Sequence, residues 1–272
     1  MDFMKLTAAV CREFESARDR PLEQVIAVKD GNPRDVVTLL DMRLHEVTRE
    51  FVQNSEPGAQ LMSEEGDLGS PASLWAASSL VVVDPLDGSN NYALSLPGYG
   101  FMAAHLRSRR IVAATVVLPE SGKYLVWDGI QLVTSSPLRV ASAAPSSPMY
   151  YAYPPNLDED QIRVRAGALR LADERSTGLY RSGSACIGLY RLLTGVHSAF
   201  VGYRVRVWDV LPFLPLLAAH GMAPRYWISG LTATVIASHD ETFAALLQAE
   251  HELVGEPRFR IFDSTQALVI GT

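Results

Sequence analysis

The chain reads as an α+β N-terminal half, residues 1–145, followed by an α/β C-terminal half, residues 146–272. Three observations predict this. Apolar residues recur at helical spacing twice near the start, so two amphipathic helices open the chain. Three apolar runs separated by short polar turns then read as a strand meander. Beyond a segment rich in Ala, Ser and Pro at 141–148, the best candidate linker, strand and helix patterns alternate to the end, the signature of an α/β arrangement.

The elements follow in order. Phe3, Leu6, Val10 and Phe14 mark the first helix, and Leu39, Leu44, Val47, Phe51 and Val52 mark the second, after Pro33. Residues 99–106, 111–118 and 123–127 are the meander, with turns at 107–110 and 119–122. Arg107, Arg109 and Arg110 fall in the first of these turns and read as a solvated connection. After the linker come a strand at 149–152, a helix at 158–172 and a strand at 178–181. A helix at 184–193, a strand at 199–201 and a helix at 210–220 continue the alternation. Strands at 224–228 and 235–238 and a helix at 242–253 complete it.

The most informative stretch is Asp84-Pro85-Leu86-Asp87-Gly88-Ser89, which leaves the apolar run Leu80-Val81-Val82-Val83. A buried strand ends in one Asp, Pro stiffens the next step, and a second Asp follows three residues on. The Gly-Ser that closes the motif offers backbone amides to an anion. Such a turn holds divalent cations beside an oxyanion. Pro, Asp, Gly and Ser are also common turn formers, so the hexapeptide alone leaves an ordinary turn open.

Three further places supply oxygen ligands. Asp41 follows Thr38 on the second helix, Ser63-Glu64-Glu65-Gly66 precedes the apolar strand, and Trp208-Asp209 opens an apolar helix. Each has an ordinary reading by itself: an exposed helix residue, a solvated loop, and a helix N-terminal charge favoured by the dipole. Their order is what counts. T-x-x-D, then S-E-E, then strand-D-P-L-D-G-S, then W-D resembles the inositol monophosphatase family, within the superfamily of metal-dependent sugar phosphatases that includes fructose-1,6-bisphosphatases. The resemblance runs from about residue 28 to 221, and Arg181-Ser182-Gly183-Ser184-Ala185 resembles the segment before W-D.

The resemblance implies a layered αβαβα sandwich, assembled as a homodimer, and a hydrolase of phosphate monoesters. It implies Glu64, Asp84, the carbonyl of Leu86, Asp87 and Asp209 as metal ligands. Oxygen donors without His or Cys suit Mg²⁺, with Mn²⁺ an alternative, and two or three ions are expected. Asp41, Ser89 and Glu64 are the expected catalytic residues, with the Ser89 hydroxyl relaying between the attacking water and Asp41. Gly88 and Ser89 are expected at the phosphate, and Asn90, Gly183, Ser184 and Ala185 at the substrate. Lys29 matches a family lysine near the metals, although a surface lysine flanking a helix fits it equally.

The expected substrate is an inositol, cyclitol or sugar phosphate. Gly202 stands seven residues before Asp209, where inositol-directed members often carry a Glu that contacts ring hydroxyls, which weakens the case for inositol phosphate itself. Ser89-Asn90-Asn91 after Gly88 disfavours 3'-phosphoadenosine 5'-phosphate. 3'-Phosphoadenosine 5'-phosphate, fructose-1,6-bisphosphate and a low-turnover regulatory or binding protein that keeps the fold are the alternatives.

Composition excludes other classes. A net charge of -6 and the lack of a long Lys/Arg run argue against nucleic acid as a partner. No apolar stretch approaches the ~20 residues of a membrane span, and charges at Asp2, Lys5, Arg12, Glu13 and Glu15 interrupt the start, so a cytoplasmic protein without a membrane partner is expected. Cys11 and Cys186 lack paired spacing, which fits a reducing compartment. Cys186 and the six His read as packing or surface residues.

Overall fold

The computed structural model describes residues 1–17, 25–28, 36–138, 147–153, 158–253 and 259–271. Lys29 and most of the expected linker lie outside them.

Helix α1 (Phe3–Ala17) buries Phe3, Leu6, Val10 and Phe14 on one stripe. Strands β1 (Val25–Val28) and β2 (Val36–Thr38) pair as an antiparallel ribbon that the sequence did not announce, because β1 is exposed along its whole length and shows no alternation. Helix α2 (Leu39–Ser55) starts where Thr38 and Asp41 cap each other. Then come β3 (Gln60–Ser63), the short α3 (Pro71–Ala76), β4 (Ser79–Asp87) and the single-turn α4 (Ser89–Ala93). The expected meander is β5 (Gly100–Arg107), β6 (Arg110–Leu118) and β7 (Lys123–Trp127), extended by β8 (Leu132–Thr134). Ser108 and Arg109 have φ of 48° and 65° in the exposed β5–β6 turn, the left-handed pair a tight hairpin requires. These strands form a six-stranded sheet in the order β3-β4-β5-β6-β7-β8.

The second sheet is built from β9 (Met149–Ala152), β10 (Leu179–Tyr180), β11 (Ala199–Arg206), β12 (Arg225–Ser229), β13 (Thr232–Ser238), β14 (Arg260–Ile261) and β15 (Ile270–Gly271). Its order is β10-β9-β11-β13-β12-β14, with β15 beside β12. The helices are α5 (Glu159–Arg175), α6 (Ala185–Leu193), α7 (Leu214–Ala219) and α8 (Glu241–Glu252). The helix expected at 210–220 is a correction: Val207–Asp209 and Leu211–Phe213 are 3-10 turns, and only α7 is α-helical. Pro212 and Pro215 cause it. A Pro has no N–H to donate, so each sits at the start of a new helical segment rather than inside one.

Three apolar clusters define the layers. Leu6, Val10 and Phe14 of α1 and Leu40 and Leu44 of α2 pack on Val81, Val83, Phe101 and Val117 of the first sheet. The opposite face of that sheet, Val82, Met102, Ala104 and Val116, meets α6, α7 and the inner face of the second sheet. Met149, Tyr151 and Val201 on its outer face pack against Val164 and Leu171 of α5 and Phe243 and Leu247 of α8. The result is the αβαβα sandwich expected. The middle cluster joins residues from both halves of the chain, so they share a core.

Candidate active site

Strand β4 carries the opening motif to the sheet's end, and a break in the ladder shapes it there. Asp84 pairs with Met102 and Asp87 with Gly100, with a register shift between them. Pro85 sits in that interval, where a residue without an N–H costs no ladder bond, and the bulge re-aims the two carboxylates. Leu86 N–H donates to Asp84 Oδ1 at 3.1 Å, so Asp84 turns back on its own loop. Gly88 follows with φ of 90°, and a Cβ there would stand 2.8 Å from the Gly98 carbonyl oxygen. Only Gly fits this corner.

Ser89 is the first residue after the corner, and its hydroxyl bonds to Asp41 Oδ1 at 2.6 Å, joining positions 48 residues apart. The Leu86 carbonyl oxygen also lies 2.7 Å from Ser89 Oγ. One hydroxyl proton faces two acceptors. The carboxylate form of Asp41 accepts it, whereas the protonated form donates to Oγ and turns the Ser89 proton toward the Leu86 carbonyl. Thr38 fixes the other oxygen: its N–H donates to Asp41 Oδ2 at 2.8 Å and its hydroxyl to the same atom. Burial pushes the Asp41 carboxyl above the usual range, opposed by the bonds from Ser89 and Thr38 and assisted by the charge of Glu64.

Asp87 points to the N-terminus of α6. Its Oδ2 accepts from the Ser184 hydroxyl at 2.5 Å and the Cys186 N–H at 2.6 Å, and its Oδ1 from the Ala185 N–H at 3.3 Å. The approach is possible because Gly100 lacks a side chain: a Cβ there would lie 2.9 Å from Cys186 Sγ. Burial nevertheless raises the Asp87 carboxyl to about 6; the three donors pull it down and Glu64 pushes it up.

Glu64 and Asp209 approach the same corner from two sides. The parallel register sets Ser63 opposite Val83, and Glu64 N–H donates to the Val83 carbonyl at 3.3 Å, which places Glu64 beside Asp84. The turn Val207–Asp209 packs against β4, and Asp209 Oδ2 accepts the Arg206 N–H at 3.2 Å. Burial holds the Asp209 carboxyl well above its ordinary value, followed by repulsion from Glu64 and Asp87, with Arg206 a weaker counter-charge. Glu64 thus raises Asp41, Asp87 and Asp209 alike. These residues share one negative field. Among the described residues, no three His, Cys, Asp or Glu side chains already close on a common point as an ion's cage. Asp87 is turned toward α6.

The model of the inositol monophosphatase family matches residues 4–254. The chain belongs to this family. The inositol-1-monophosphatase of Rhizobium meliloti (strain 1021) is 27% identical to it over 211 residues, 75% of this chain and 77% of that protein. The extragenic suppressor protein suhB from Bartonella henselae superposes with a TM-score of 0.74 at 17% identity, over 92% of this chain and 98% of the other. A solved IMPase/NADP phosphatase complexed with Mg²⁺ and phosphate gives a TM-score of 0.71 at 16% identity, over 91% and 95% of the two chains. This inositol monophosphatase family member is a phosphatase, a phosphoric monoester hydrolase.

Around the carboxylates the remaining expected residues take distinct positions. Asn90 is half-buried and Gly183 is exposed with φ of 82°, both at the rim, while Ala185 is buried. Ser184 is buried with its hydroxyl committed to Asp87, so it faces a carboxylate rather than the rim. Sequence reading missed Asn91, whose side-chain amide donates to the carbonyls of Gly98 (2.7 Å) and Ser182 (2.9 Å) and so ties the two halves at the site. Gly202 lies within β11, and a Cβ on it would stand 3.0 Å from the Phe200 ring and 3.1 Å from Val205. Phe200 and Val205 crowd the position, and an added side chain requires them to give by a few tenths of an ångström.

Proposed function

We propose that this chain is a Mg²⁺-dependent phosphate monoester hydrolase for an inositol, cyclitol or sugar phosphate, in which Ser89 and Asp41 take the proton of an attacking water. The observation that carries the reading is the Ser89 to Asp41 hydrogen bond, 2.6 Å, set beside a cluster of mutually repelling carboxylates. The donors fit the ion. They are hard oxygens, and the raised carboxyls of Asp87 and Asp209 mark a charge that a divalent cation neutralises. Glu64, Asp84, the Leu86 carbonyl, Asp87 and Asp209 would hold it. Bound Mg²⁺ supplies positive charge opposite the phosphate oxygens and acidifies water.

The protein's own groups do the rest. Ser89 Oγ accepts from the water while donating to Asp41, and the proton comes to rest on a carboxyl whose buried position favours the neutral form. Thr38 keeps that carboxyl from rotating. The amides of Gly88 and Ser89 are assigned to the phosphate, and Asn90, Gly183 and Ala185 to the alcohol. Gly at position 202, crowded by Phe200 and Val205, supports an alcohol other than one gripped through a Glu at that position. The same reading includes a cytoplasmic homodimer.

The orientation of Asp87 toward α6 gives a second reading, a protein that keeps the fold with little turnover. Phosphate release from a panel of inositol, sugar and nucleotide phosphates, with Mg²⁺ and with chelator, separates the two. Mg²⁺-dependent release on an inositol, cyclitol or sugar member supports the hydrolase; no metal-dependent release on any member supports the second reading.

A further inference from the structure

Tyr150 is a fully buried side chain that touches the site's framework without belonging to the ligand set. It stands on β9, with its ring stacked on Phe200 at 5.4 Å and an interplanar angle of 3°. The ring occupies the space above Gly188 of α6, where a Cβ would come within 2.7 Å of it. Its hydroxyl donates to the Ser184 carbonyl at 2.8 Å, lies 3.2 Å from the Ser182 hydroxyl and accepts the Ser182 N–H at 3.4 Å. The segment Ser182-Gly183-Ser184 is therefore gripped from below. Asn91 grips it from the other side through the Ser182 carbonyl. This segment and the first turn of α6 carry all three donors to Asp87: the Ser184 hydroxyl and the amides of Ala185 and Cys186.

We infer that Tyr150 is a positioning residue for Asp87, acting through the 182–184 segment to set the carboxylate's angle toward a bound divalent cation. The inference rests on the metal-dependent reading above and deepens it. Three donors on a rigid segment define one orientation of a carboxylate, whereas a loose segment allows several. Outer partners of this kind change metal affinity without touching the metal. Tyr150 is two hydrogen bonds from Asp87, one step further out than the groups that bond the carboxylate itself, and its effect should fall at the low end of the range for such partners.

The test uses Mn²⁺ as the probe, read by the loss of its free electron-spin signal on titration with full-length protein, alongside Mg²⁺-dependent phosphate release. Tyr150→Phe keeps the ring stack and removes the hydroxyl. It should weaken Mn²⁺ binding roughly tenfold, regain near wild-type turnover at saturating Mg²⁺, and leave the substrate KM unchanged. Rescue by metal is what a merely structural defect would not show. Unchanged Mn²⁺ affinity in Tyr150→Phe overturns the inference and leaves the hydrolase reading standing. If the wild-type protein neither binds Mn²⁺ nor releases phosphate with Mg²⁺, the hydrolase reading itself fails and the inference with it. Should Tyr150→Phe not fold, Ser182→Ala removes the side-chain partner of the Tyr150 hydroxyl without removing any donor to Asp87: weakened Mn²⁺ binding with turnover rescued at saturating Mg²⁺ supports the inference, and wild-type binding overturns it.

Discussion

Replacing Asp87 by Asn should stabilise the metal-free protein while abolishing its activity. Folding raises the Asp87 carboxyl from its ordinary 3.8 to about 6, because burial and Glu64 outweigh the three donors at α6. A carboxyl raised in the folded state disfavours folding wherever it must ionise. Below pH 3.8 both states are neutral and the cost is absent. It grows as pH rises from 3.8 to 6 and is complete above 6, where a shift of about two units corresponds to about 3 kcal/mol. Asn carries no charge and avoids this. Its carbonyl oxygen can still accept from Ser184 and Cys186, but its amide nitrogen faces the Ala185 N–H, a loss of about 1 kcal/mol. The net gain is about 2 kcal/mol near neutral pH, shrinking below about 1 kcal/mol by pH ~5. Denaturant unfolding of wild type and D87N in chelator at these two pH values reads it directly, and added Mg²⁺ should stabilise only the wild type. A variant that is less stable at neutral pH, or a difference that does not change with pH, would refute the electrostatic account of the cluster.

Three other outcomes follow from the same geometry. Ser89→Ala should lower kcat by roughly 10²–10⁴-fold, the range for loss of a proton-transfer group, while Ser89→Thr retains most activity because the hydroxyl to Asp41 survives. His105 is buried against Ser79, and burial, the nearby N-terminus and Arg107 lower it to about 4 despite Glu56. A lowered His binds its proton more readily unfolded, so stability falls as pH drops from about 6.5 to 4, by up to about 3 kcal/mol; pH-dependent unfolding of His105→Gln should show a correspondingly flatter profile. Gly202→Glu should cost about 1–3 kcal/mol, since its Cβ meets Phe200 and Val205, and should not improve turnover of inositol phosphates in a phosphate-release assay.

Much of this architecture was legible in the chain because long, periodic or alternating segments announce themselves. Phe3, Leu6, Val10 and Phe14 fall on the buried stripe of α1, and the three meander strands appear within a residue of their expected ends. What stayed hidden was short or non-local. Strand β3 has four residues with only Met62 and Ser63 buried, too few to show a period. The expected helix at 210–220 failed because its apolar content outweighed two prolines in the reading, while in the fold the missing N–H groups decide. At the site, Asp41 and Ser89 were legible as motif members and the structure joins them directly. The bond from Ser184 to Asp87 spans 97 residues and left no local signature; the family resemblance placed Ser184 at the substrate instead. The obstruction at Gly202 was equally hidden, since it depends on where Phe200 and Val205 point.

The most direct measurement is phosphate release from the best substrate of the panel as Mg²⁺ is removed and returned, in wild type and Ser89→Ala. The account predicts release that stops with chelator, returns with Mg²⁺, and is lost in Ser89→Ala even at saturating metal. Release that persists in chelator, or a Ser89→Ala protein as active as wild type, would contradict it.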